Sequence, residues 1–188
     1  MIRGGLRAAA TPAETDDAVL ARLFAAEAQL LVRLARFFVA DRAAAEDLVQ
    51  EAFIRLSRHL HRLRAPGAEA AYLRAIVLNL CRDHNRRGLM SLRHRPAAEP
   101  EPEPLDDLIA GREQARTVVA ALAGLPARQR DALVLRYYLE LSVPEIAATL
   151  GLSPNSVKTH LQRGLRALEG RLGPAYRDDG DNPPGGAR

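Results

Sequence analysis

Apolar residues recur every three or four positions along most of this chain, and alternation of period two is absent. That spacing gathers them on one side of a helix. Within residues 17–39, Leu20, Leu23, Phe24, Leu31 and Leu34 predict an apolar-rich helix. A second is predicted after Asp41, a good N-cap, with Glu46 and Asp47 in its early turns where acids suit the helix dipole. Leu48, Ala52, Phe53, Leu56 and Leu60 are its expected inward stripe. Pro66-Gly67 breaks the chain, and a third helix is expected from about Ala68 to Arg87, burying Leu73, Ile76, Val77 and Leu80. Gly88 is placed to end it. Further on come a helix near 112–123, the breaker Leu125-Pro126, a helix near 127–139 and two short helices. The expected fold class is all-α.

The clearest boundary is Pro96-Ala-Ala-Glu-Pro-Glu-Pro-Glu-Pro104. Alternating Pro and Glu forms neither helix nor buried strand, and its like charges repel. The reading is two small helical domains, residues 14–88 and 112–172, joined by a flexible acidic linker at 89–111. Residues 1–13 and 173–188 are expected to be disordered.

Hydrophobic residues make up 47% of the 188, enough for real cores, but aromatics are only 4% and Trp is absent. Leu and Ala must therefore build most of the packing, which favours helices over sheets. The single cysteine, Cys81, precludes an intramolecular disulfide, and no apolar run approaches a membrane span of ~18 residues. Met1–Ala13 has Arg3 and Arg7 but no continuous apolar run after them, so no secretion signal is expected. A cytoplasmic protein without membrane insertion is expected.

The net charge of +4 is strongly segregated. Residues 14–51 carry eight acids against four arginines, and residues 55–95 carry ten arginines against two acids. Residues 96–113 then carry six acids against one arginine, and residues 128–172 seven basic residues against four acids. Two of these blocks suit phosphate.

The strongest local signal lies in residues 141–168. Ser142 and Glu145 form a capping box, with Leu141 and Ile146 as its hydrophobic staple. Gly151 supplies the left-handed backbone that stops that helix. Ser153 caps the next, Pro154 takes its first position, and Leu152 and Val157 form a second staple. Two helices joined by a short Gly-containing turn make a helix-turn-helix. In the second helix Val157, Leu161, Leu165 and Leu168 fall together and should pack inward. Asn155, Ser156, Lys158, Thr159, Gln162, Arg163 and Arg166 are the candidate DNA-facing residues, suited to the major groove, with Arg166 and Arg171 expected on phosphates.

In the first half, the third helix turns Asn79, Arg82 and Arg86 away from its apolar stripe, as a single-stranded nucleic-acid groove requires. The order of the segments is the more specific sign. Asp41-Arg-Ala-Ala-Ala-Glu-Asp-Leu-Val-Gln-Glu-Ala-Phe-Ile-Arg-Leu56 closely resembles region 2.2 of bacterial RNA polymerase sigma factors. Ala71–Arg87 resembles regions 2.3 and 2.4, and Leu125–Tyr138 with the helix-turn-helix resembles region 4. The short linker stands where larger sigma factors carry an extra domain, which marks the extracytoplasmic-function group of the sigma-70 family. The resemblance covers about residues 15–172.

The resemblance implies that the protein is no enzyme, has no catalytic residues, metal or cofactor, and directs core RNA polymerase to promoters. Glu46, Asp47, Gln50 and Glu51 would meet the β′ clamp helices, and the second domain the β flap. Tyr72, Arg74, Asn79, Arg82 and Arg86 would meet the −10 element, and the outer face of residues 155–166 the −35 element of promoter DNA. An anti-sigma factor is an implied partner. The alternative is a stand-alone helix-turn-helix regulator.

Tyr72 is the only aromatic between Phe53 and Tyr137, whereas larger sigma factors stack several on the −10 region. Base stacking is worth roughly 1–3 kcal/mol per base, so strict dependence on near-ideal promoters is expected. Of the remaining residues, Cys81 reads as a small core residue, His59 and His61 point apart on their helix, and Tyr137 and Tyr138 are expected in the core of the second half.

Overall fold

The structure, a computed structural model, describes residues 15–63, 67–92 and 112–173. Residues 89–92, expected to begin the linker, are instead helical; the rest of the expected linker and both expected disordered ends lie outside the described residues, apart from Gly173. Every regular element among the described residues is helical: α1 (Asp16–Ala35), α2 (Arg42–His59), α3 (Ala68–Leu92), α4 (Arg112–Ala123), α5 (Ala127–Leu133), α6 (Val143–Leu150) and α7 (Pro154–Leu172).

Side-chain caps set the starts of α1 and α2. Thr15 accepts from Ala18 N, and Asp41 accepts from the backbone N–H groups of Ala43 and Ala44, as its position predicted. α1 ends at Ala35, earlier than the apolar pattern implied. Phe37, Phe38 and Val39 are buried in the turn that follows it, and Asn85 Nδ2 pins this turn to α3 by donating to Phe38 O at 2.8 Å.

The α2 stripe is rotated from the expected one: Ala45, Val49, Ala52 and Leu56 are buried, whereas Leu48 and Phe53 are half-buried. Phe24 is 62% exposed and meets Phe53 edge-on at 5.2 Å between ring centroids. α3 does not stop at Gly88 but continues to Leu92. A glycine in mid-helix lowers helix propensity by about 1 kcal/mol without breaking the hydrogen-bond ladder.

In the second half, α5 is short and widens into a single π turn over Val134–Tyr138. Glu140 then takes a left-handed conformation (φ 54°) that redirects the chain into α6. This turn displaces the two tyrosines from their expected places. Tyr137 is 63% exposed, and Tyr138 packs on Phe37 of the first half at 4.8 Å. α7, expected to be short, spans 19 residues.

α1, α2 and α3 pack as one bundle, α4 to α7 as another, and α3 also packs against α6. α3 is therefore buried on two sides. Leu73, Val77 and Leu80 belong to the stripe read from the sequence, but Leu78, on the side assigned to polar contacts, is also fully buried. The buried apolar residues of the two bundles form one continuous cluster.

Candidate nucleic-acid interface

The helix-turn-helix forms as its capping chemistry dictates. Ser142 Oγ accepts from Glu145 N while a Glu145 carboxylate oxygen accepts from Ser142 N at 2.8 Å, a complete capping box. These bonds hold the Glu145 carboxyl below its ordinary range, the Ser142 hydroxyl being the larger cause. Gly151 closes α6 at φ 63°, ψ 41°, and Ser153 accepts from Ser156 N to start α7. The apolar staples are in place, with Leu141, Ile146 and Val157 buried and Leu152 half-buried.

α7 sorts its faces largely as its sequence predicts. Val157 is fully buried, and Leu161, Leu165 and Leu168 are half-buried against the core. Asn155, Lys158, Thr159, Gln162, Arg163 and Arg166 are exposed together, with Ser156 half-buried beside Ser153. Gly164 is buried too, a contact the periodicity did not signal, because glycine carries no apolar mark. Arg171, expected on phosphate, instead donates from Nη2 to the Gly124 carbonyl at 2.7 Å and closes α4 onto the end of α7.

The acidic face of α2 is exposed at Glu46, Asp47 and Gln50 and half-buried at Glu51. Glu46 pairs with Arg42 at 2.8 Å and Glu51 with Arg55 at 2.7 Å, both one turn along the helix. Exposed pairs of this kind are worth a few tenths of a kcal/mol and leave the carboxylates open to a stronger cationic partner.

The candidate −10 residues are spread along α3 and are differently engaged. Tyr72 is half-buried and faces the His59 ring at 6.3 Å. Arg86 is exposed and pairs with Asp83 at 3.3 Å. Arg74 makes a two-pronged ion pair with Glu27 of α1, its Nε donating at 3.1 Å. Asn79 is exposed, its side-chain oxygen accepting from Arg82 at 2.6 Å. The Arg82 guanidinium also donates to Asp131 of α5, in the other bundle. Asp131 is fully buried, and burial raises its carboxyl above the ordinary value against the opposing charge of Arg82.

Asp131 lies on a seam between the bundles. Arg130 stacks its guanidinium over the Phe38 ring at 4.8 Å. Ala75, Leu78, Asn79 and Arg82 of α3 share a groove with Arg128 and with Thr149 and Leu150 of α6. Five buried polar atoms at or beside this seam have no hydrogen-bond partner among the described residues: Arg82 Nε, Arg130 Nε, Asp131 Oδ1, Tyr138 Oη and Thr149 Oγ1. A buried polar atom without a partner costs about 1–3 kcal/mol. Cys81 is fully buried beside it, and burial together with the Asp131 charge pushes its thiol up to about 12.

Among the described residues no cluster of three His, Cys, Asp or Glu side chains could hold a metal, and no helix is long and apolar enough to cross a membrane.

Residues 23–88 match the family model of sigma-70 region 2, and residues 115–168 that of sigma-70 region 4. The chain is 32% identical over 161 residues to the ECF RNA polymerase sigma factor SigM of Mycobacterium tuberculosis, covering 86% of this chain and 80% of that protein. It is 33% identical over 144 residues to a Xanthomonas campestris protein named "Probable RNA polymerase sigma factor RfaY". That match takes in 70% of this chain, which spans only 35% of the length of that relative. Among solved structures it resembles CnrH in complex with the cytosolic domain of CnrY, with 27% identity, a TM-score of 0.62, and coverage of 83% of this chain and 88% of that one. Two helical modules in family order, each matched by its own model, together with a relative matched over 80% of its length, identify the chain as a member of the sigma-70 family of RNA polymerase sigma factors, in its extracytoplasmic-function group.

Proposed function

We propose that this chain is the promoter-specificity subunit of core RNA polymerase and acts with the enzyme in the cytoplasm, without catalysing a reaction itself. Residues 14–88 bind the polymerase and the −10 element, and residues 112–172 bind the −35 element. Glu46, Asp47, Gln50 and Glu51 present a carboxylate-rich helix face to the basic β′ clamp helices. Tyr72, Arg74, Asn79, Arg82 and Arg86 take the −10 strand, where cations track the backbone and polar groups meet unstacked bases. The exposed side of α7 enters the major groove at −35, and the second domain also meets the β flap.

The observation that carries this reading is the outward face of α7. Six exposed or half-buried polar residues and Arg166 line it behind a capped turn, and none of them is acidic. Each module reads one short element, so affinity comes from holding both on the enzyme. An anti-sigma factor fits the same surfaces. Support for such a partner comes from the similar CnrH, whose structure holds the cytosolic domain of a second protein.

Run-off transcription and gel shifts with the purified chain test the reading. The expected result is promoter-specific transcripts and stable DNA complexes only when core polymerase is added. Tight, sequence-specific binding of duplex DNA by the chain alone would favour the stand-alone regulator.

A further inference from the structure

In α1 the buried positions follow the helical repeat through Leu23, Leu31 and Leu34, and the place between Leu23 and Leu31 is taken by a carboxylate, Glu27. An apolar side chain there would need no partner, and a buried ion pair is seldom more stable than the well-packed apolar residues that could replace it. Glu27 finds its partner 47 positions along the chain, in Arg74 of α3, its two oxygens accepting from Nε and Nη2. Arg74 is one of the cations assigned to the −10 strand. We infer that Glu27 is a positioning residue for −10 recognition: it fixes the Arg74 fork and cancels its charge, so that Arg74 meets the strand as a directional hydrogen-bond donor and not as a cation open to any phosphate. This rests on the function proposed above.

Three observations support it. The grip takes only one edge of the guanidinium, along Nε and Nη2. A guanidinium carries five N–H donors, so three remain, both of those on Nη1 among them. The pair is also largely withdrawn from water, with the Arg74 side chain 15% exposed. Salt screens a partly buried pair much less than an exposed one, so the carboxylate goes on cancelling the cation while the free donors keep their directions. Arg86 of the same helix is the contrast, being 74% exposed and paired with Asp83 at 3.3 Å. A pair so exposed is weak and yields to a phosphate. α3 thus carries one arginine suited to follow any backbone and one held to a single direction. Sequence-independent binding comes from charge, whereas discrimination comes from placed donors. A fork fixed beforehand also loses less freedom on binding.

The test uses holoenzyme assembled from core polymerase and the full-length chain. The probe is the single strand of the −10 region of a promoter mapped by run-off transcription, matched or carrying single substitutions, and affinity is measured over a range of salt concentrations. On a single strand each unit of charge changes the slope of log K against log salt by about 0.7. Glu27→Gln keeps the shape of the side chain and frees one positive charge. Its slope should be steeper by about 0.7, and its preference for the matched strand should fall by about fivefold. Arg74→Gln leaves one negative charge and should give a slope shallower by about 0.7. The double variant Glu27→Gln/Arg74→Gln is neutral, like the wild-type pair, and should regain the wild-type slope while still discriminating poorly. Glu145 of α6, which also feels the charge of Arg74, is present in every variant and drops out of the comparison.

An ion pair that only holds α1 to α3 would lower the Tm when broken and leave slope and preference at wild-type values, and that result overturns the proposal. If Glu27→Gln fails to fold, Arg74→Gln and the double variant decide by the same signs. A wild-type holoenzyme that does not bind the matched strand refutes the function proposed above and this role with it. Wild-type binding with unmoved variants refutes this role alone.

Discussion

Gly164, in the middle of α7, lies so close to Leu133 of α5 that a Cβ there would stand 3.0 Å from Leu133 Cδ1 and 3.3 Å from Gln129 Cβ. Leu133 is 2% exposed and has little room to move. Alanine normally stabilises a helix interior over glycine by about 1 kcal/mol, but overpacking costs about 1–3 kcal/mol. Gly164→Ala should therefore lower the Tm of the chain. Gly170 is the control, being exposed on the same helix, where an added Cβ would meet nothing within 4 Å. Gly170→Ala should raise the Tm, and equal shifts in the two variants would show that α5 and α7 do not pack as described.

Ser142→Ala removes one half of the α6 capping box and should destabilise the chain by about 1 kcal/mol at pH 7. The effect should depend on pH. Glu145 is held below its ordinary carboxyl range by Ser142, so its contribution is present above that range and is lost as pH falls through the depressed value. The stability gap between wild type and variant should thus narrow as pH falls through the depressed Glu145 value and be widest above the ordinary carboxyl range, with the Ser142 cap on Glu145 N retained at all pH.

Asp47→Ala and Arg163→Ala separate the two proposed contacts. Asp47→Ala should weaken association with core polymerase and leave the helix-turn-helix unaffected. Arg163→Ala should leave core binding intact and weaken transcription from promoters with the matching −35 element, each lost base contact costing about 1–3 kcal/mol. Competition assays with core polymerase and run-off assays on −35 variants measure the two separately. Failure of both variants at the same step would refute the division of labour.

The Cys81 thiol, pushed up to about 12, should resist oxidation and alkylation at pH 7–8, because only the thiolate reacts. A thiol whose folded value lies above its ordinary 9.0 favours the folded state fully below that value. This contribution is lost as pH rises from there towards 12, because the unfolded chain gives up the proton first. Denaturation at pH 8, 9 and 10 should show stability falling with pH in the wild type. In Cys81→Ala the decline should be shallower, and parallel slopes would place the thiol in water.

Local chemistry made much of this protein legible from its sequence. The caps at Asp41, Ser142 and Ser153, the stop at Gly151 and the staples around α6 and α7 all act within a few residues, so the chain order that encodes them also places them. The sorting of α7 into an apolar and a polar side follows from the helical repeat for the same reason. The order of the modules identified the family. Periodicity erred where two stripes share a helix or where a turn resets the phase. Leu78 lay among polar positions because α3 serves two bundles, and the π turn exposed Tyr137 against its hydrophobic character.

Tertiary structure alone decided the contacts that join distant segments. Arg74 meets Glu27 and Arg171 meets Gly124 across 47 positions, and Arg82 meets Asp131 across 49. An arginine in sequence is a cation with no stated partner. Which oxyanion or carbonyl it finds depends on how whole helices pack, and that is fixed by the summed fit of many apolar side chains, not by any neighbour in the chain.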